Sequence, residues 1–91
     1  MEELKIKQIE LVPIKARQGL VGFASCVIND QFYIGNIAIH TALNKNEFRL
    51  VYPAKTLPNG KTIYYVHPIN KETGDAITNA IVDAFKDLLL S

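Results

Sequence analysis

Apolar and polar residues alternate along the first two thirds of this chain and then change period, which predicts strands followed by one helix. Residues 4–12 read as a first strand, but Ile6 has one parity while Ile9 and Leu11 have the other. A period of two can bury all three only if a bulge intervenes near Lys7-Gln8. Pro13 is expected to close that ladder, because it has no N–H to donate. Gln18-Gly19 leads into a second strand at 20–28. The polar Asn29-Asp30-Gln31 makes a short hairpin connection to a third at 32–40. There Phe32 and Ile34 share one parity and Ile37 and Ile39 the other, with Gly35-Asn36 between them, again the mark of a bulge.

A fourth strand is expected at 47–52 after the turn Asn44-Lys45-Asn46, and a short fifth at 61–66, rich in β-branched and aromatic residues. After Pro68 the period becomes about 3.6. Ile77, Ala80, Ile81, Ala84, Phe85, Leu88 and Leu89 recur at spacings of three and four, and Asn70 or Thr73 is placed to cap the helix. The stripe should cover the sheet. The fold class is therefore α+β, a bent antiparallel sheet of about five strands with one C-terminal amphipathic helix, forming a single domain over residues 1–91.

A chain of 91 residues has a marginal core. Residues 20–28 are apolar on both faces, so a homodimer is expected to supply the missing burial. The acidic start, Met1-Glu2-Glu3, is not a signal peptide, and no apolar run is long enough to span a bilayer; a cytoplasmic protein without a membrane partner is expected. The single cysteine, Cys26, excludes an internal disulfide and a multi-cysteine metal site, and its apolar strand places it in the core.

Net charge is only +1, but its distribution is uneven. Lys45, Arg49, Lys55, Lys61 and Lys71 face Glu47 alone between positions 45 and 71, whereas Glu72, Asp75, Asp83 and Asp87 face only Lys86 thereafter. Pro53 and the Pro58-Asn59-Gly60 turn push Lys55 and Lys61 onto an exposed loop, where they can meet an anion. These five cations are the candidate phosphate-binding residues of a nucleic-acid site, with Tyr52, Tyr64 or Tyr65 available either to stack on unpaired bases or to pack within the sheet. His67 invites an acid–base or metal role, but only His40 accompanies it and zinc needs three or four ligands. A hydrogen-bonded corner before the helix is the stronger reading. No catalytic constellation, cofactor motif or small-molecule substrate site can be assembled.

Pro53, Lys55, Pro58, Gly60, His67, Pro68, Ile69 and Asn70, followed by Ile77 and Ala80, stand at a spacing that resembles the SpoVG family of bacterial septation and sporulation regulators. The resemblance implies a small dimeric protein that binds DNA or RNA as a regulator and is not an enzyme. This chain has Ala54-Lys55-Thr56 where members tend to carry Ser-Lys-Arg, and Gly74 and Ala76 where they carry an Arg and a Lys. Those differences keep a second reading open: a protein-interaction module or scaffold of the same fold.

Overall fold

The computed structural model describes residues 4–42 and 47–90. Four strands, β1 (Ile6–Arg17), β2 (Leu20–Ile28), β3 (Phe32–Thr41) and β4 (Phe48–Val51), form an antiparallel sheet in chain order. Two short strands, β5 (Ala54–Thr56) and β6 (Thr62–Tyr64), pair with each other in a separate two-stranded sheet, and the helix α1 (Lys71–Leu90) lies across the larger sheet.

Both expected bulges are present. Between the pairs Lys7↔Val27 and Glu10↔Ser25, β1 carries one residue more than β2, and Gln8 takes a left-handed φ of 50° to absorb it. Ile6, Ile9 and Leu11 consequently all pack against the core. Likewise Gly35-Asn36 opposes Ser25 alone, Asn36 has φ 56°, and Ile34, Ile37 and Ile39 all reach the helix side. The β2–β3 connection is the three residues Asn29-Asp30-Gln31, with Asn29 and Asp30 at φ 52° and 57° and Gln31 N donating to the Ile28 carbonyl at 2.9 Å. Two successive positive φ values give the turn the twist that antiparallel strands need.

Pro13 does not end the first strand. It sits opposite Gly22, and β1 continues to Arg17. β1 is an edge strand, where a missing N–H costs no ladder bond if it faces outward. Gly22 is hemmed in by both the neighbouring strand and the helix: a Cβ there would stand 3.0 Å from the Val12 carbonyl oxygen and 3.2 Å from the Phe85 ring.

Asn70 is the N-cap, its Oδ1 accepting from Thr73 N at 2.8 Å. Ile77, Ile81 and Phe85 then descend onto Ala24, Cys26, Ile37 and Ile39, and Phe85 meets Phe48 edge-to-face at 5.3 Å. Val82 is buried although it lies off the expected stripe, while Leu88 and Leu89, which belong to that stripe, stay exposed because the last turn runs past the buried core.

The expected fifth strand belongs to a separate ribbon, and the segment after Pro53 is its other strand, not a loop. The Pro58-Asn59-Gly60 turn closes it: Leu57 N donates to the Lys61 carbonyl at 2.7 Å, Gly60 N to the Leu57 carbonyl at 2.9 Å, and Asn59 Oδ1 accepts from Lys61 N at 3.0 Å. Gly60 has φ 86°, which a side chain would resist. Every residue of β5 and β6 is exposed.

Candidate nucleic-acid interface

The ribbon carries two of the five candidate cations. Lys55 stands on β5 opposite Ile63, and Lys61 opens the return strand; both are exposed and neither forms an ion pair among the described residues. Tyr65 N donating to the Pro53 carbonyl at 3.0 Å ties the base of the ribbon together. Arg49 is exposed on β4, in register with His40 of β3. It borders a cleft of about 430 Å³ beside the β4 edge whose other wall includes Tyr64, His67 and Pro68. The fold thus brings Arg49 to the foot of the arm that bears Lys55 and Lys61.

Lys71 is placed differently. It is the first residue of α1, and its Nζ contacts Asp75 Oδ2 at 2.8 Å. The hydrogen bond from Lys71 to Asp75, and then the charge of Asp75, push the ammonium above its ordinary value. Part of its positive field is already answered. That i,i+4 spacing is readable in the sequence and identifies the pair without a structure. Lys45 lies outside the described residues.

The tyrosines divide. Tyr52 packs against the core, and its hydroxyl is buried without a hydrogen-bond partner among the described residues. Burial first, and the neighbouring Cys26 second, push its phenol up. It is a packing residue. Tyr65 is 70% exposed, and Tyr64 is half-exposed with its ring 5.2 Å from that of His67. Both present an aromatic face beside the cleft or ribbon.

His67 is held at the corner before the helix, its Nδ1 2.9 Å from the Pro68 carbonyl. A carbonyl only accepts, so Nδ1 is the donor in this contact. Cys26 is fully buried, and burial raises its thiol above the ordinary 9.0, so it is protonated at neutral pH and a poor nucleophile. Among the described residues, no cluster of three or more His, Cys, Asp or Glu could hold a metal ion, and no helix is long and apolar enough to cross a membrane.

The hydrophobic pattern does not single out Phe32, Tyr33 or Ile69 as surface features, yet they are 67%, 72% and 89% exposed. In Phe32 and Tyr33 the signal was the polar turn immediately before them, which puts the first residues of β3 at the sheet's end. In Ile69 it was a position between Pro68 and the helix cap, outside either periodic element.

The chain resembles proteins named "Putative septation protein SpoVG" from Onion yellows phytoplasma (strain OY-M) and Aster yellows witches'-broom phytoplasma (strain AYWB). Each is 27% identical over 86 residues, covering 94% of this chain and 85% of the relative. The sequence profile of the SpoVG family matches residues 4–87, which takes in all six strands and nearly the whole helix: the chain belongs to the SpoVG family.

Proposed function

We propose that this protein is a homodimeric regulator that acts by binding DNA or RNA, not by catalysis. Phosphates are met by Arg49, Lys55 and Lys61, with Lys71 at the margin; Lys45, which lies outside the described residues, remains a candidate from its charge alone. The observation that carries this reading is the ribbon: the segment from Ala54 to Tyr64 projects two lysines without ion-pair partners among the described residues and contributes no buried side chain. An element that buries nothing adds little to the core, and its charges remain free to release counterions from a polyanion. Tyr64 and Tyr65 add stacking faces for unpaired bases.

A second reading has its own support. Glu72, Asp75, Asp83 and Asp87 are exposed on α1, and Asp75 engages Lys71, which suits an acidic face that binds a basic protein partner.

Fluorescence anisotropy with single- and double-stranded DNA and RNA oligonucleotides at two salt concentrations separates the two. Salt-sensitive binding at micromolar protein or tighter supports the regulator. In Lys55→Ala/Lys61→Ala the logarithmic salt slope for duplex DNA should become shallower by about 0.9 for each phosphate that the two lysines neutralise in the wild type. An unchanged slope removes the ribbon from the site, and no binding at low salt sinks the nucleic-acid reading in favour of the protein-interaction module.

A further inference from the structure

The surface of this chain is too large for its mass. It exposes 6906 Å², whereas a monomeric protein of 10.2 kDa is expected to expose about 5,300 Å². Its radius of gyration, 13.6 Å, likewise exceeds the roughly 12 Å of a compact domain of this length. The excess is about 1,600 Å², and a standard interface takes about 800 Å² from each partner. Half of it matches the area that one partner gives up in a standard interface.

Two apolar places compete for that role. The sheet face away from the helix carries Val12 and Phe23, but its hollow is only about 170 Å³ and is lined also by Glu10, Ser25 and Asn36. On the helix side, where β2 turns into β3 and α1 begins, a cavity of about 410 Å³ is lined almost wholly by apolar groups: Ile28, Phe32, Ile34, Tyr52, Pro68 and Ile77. Phe32 at this cavity is 67% exposed, an apolar cost that only a covering group removes.

Beside the cavity stands a projection of matching character. Ile69 follows Pro68 of the wall directly and, at 89%, is the most exposed large hydrophobic residue among those described. A two-fold axis passing between a projection and an adjacent hole sets each projection into the other subunit's hole, so both contacts form together. We infer that the cavity is a socket for Ile69 of a second copy of this chain, the two copies exchanging isoleucines across a two-fold axis. This seat rests on the homodimer proposed above and specifies where it forms. It also places the two ribbons and their lysines about one axis, because each ribbon leads through Tyr65 and Val66 into its own Ile69.

Sedimentation equilibrium across the micromolar range, with circular dichroism to verify the fold, tests the seat on wild type, Ile69→Asp, Ile69→Leu and Val12→Asp. Both sites are exposed, so neither change threatens the core. Wild type should be dimeric, Ile69→Asp should weaken the dimer at least 100-fold, and Ile69→Leu and Val12→Asp should stay within a few-fold of wild type. Ile69→Ala and Phe32→Ala should each weaken it by about ten-fold, and their effects should not multiply when combined, as expected for two groups that touch in the complex. A wild-type dimer that tolerates Ile69→Asp but dissociates with Val12→Asp overturns the socket and moves the interface to the open sheet face. Multiplicative effects at Ile69 and Phe32 would likewise overturn the exchange, and a monomeric wild type would sink the dimer and the socket together.

Discussion

The helix-covered sheet and the β5–β6 ribbon follow opposite physical rules. In the sheet, two bulges and the close approach at Gly22 let Ile6, Ile9, Leu11, Ile34, Ile37 and Ile39 all share one face under Ile77, Ile81 and Phe85. In the ribbon no side chain is buried, and the hairpin is held by the hydrogen bonds of its ladder and turn. The first region commits its residues to burial, which leaves them unavailable to a partner. The second leaves its residues to solvent, where charge and aromatic surface can be used.

The comparison breaks most visibly at Phe85. Truncation to Ala should cost about 3–5 kcal/mol, enough to unfold much of a small domain, whereas Lys55→Ala should move urea-measured stability by no more than about 0.5 kcal/mol. Equal costs at both sites would mean that the ribbon is part of the core.

Gly22→Ala should follow, at about 1–3 kcal/mol, since its new methyl lands 3.0 Å from a backbone oxygen that cannot move away freely. Thermal denaturation reads it. Gly60→Ala sharpens the contrast from the ribbon's side. No atom lies within 4 Å of the added methyl, so the penalty is only the left-handed backbone, about 1 kcal/mol. It should appear as faster amide exchange at Leu57 and Gly60 with the melting temperature nearly unchanged; a clearly lowered melting temperature would show that the ribbon folds with the sheet.

The smallest effect is pH-dependent and belongs to the core. Cys26 and Tyr52 both titrate higher when folded than their ordinary 9.0 and 10.0. The folded state therefore holds these protons more firmly, and stability should be full below pH 9 and fall as pH rises through 9 and then 10. Cys26→Ala with Tyr52→Phe should flatten that fall in urea titrations at about pH 8 and about pH 10. Tyr52→Phe alone should be neutral or slightly stabilising at neutral pH, because it removes a buried hydroxyl that has no hydrogen-bond partner among the described residues.

What the sequence determined by itself is whatever rests on local period and local chemistry. Parity conflicts at Ile6/Ile9 and Ile34/Ile37 announced both bulges, the change from period two to 3.6 announced the helix, and Asn70 and Thr73 announced a cap that proved to be Asn70. The cations Arg49, Lys55, Lys61 and Lys71 were legible as charges, and so was the Lys71–Asp75 spacing that compromises one of them. Tertiary structure decided what depends on distant partners. Pro13 continues a strand because β1 happens to be an edge, and β6 stands apart from the sheet because it pairs across the neighbouring turn with β5. Leu88 and Leu89 are exposed because the core ends before the helix does. Ile69 faces solvent beside an apolar cavity that pattern alone could not reveal, because a cavity is defined by elements far apart in the chain. Period and spacing are properties of neighbours in sequence, whereas edge, reach and cavity arise only when the chain closes on itself.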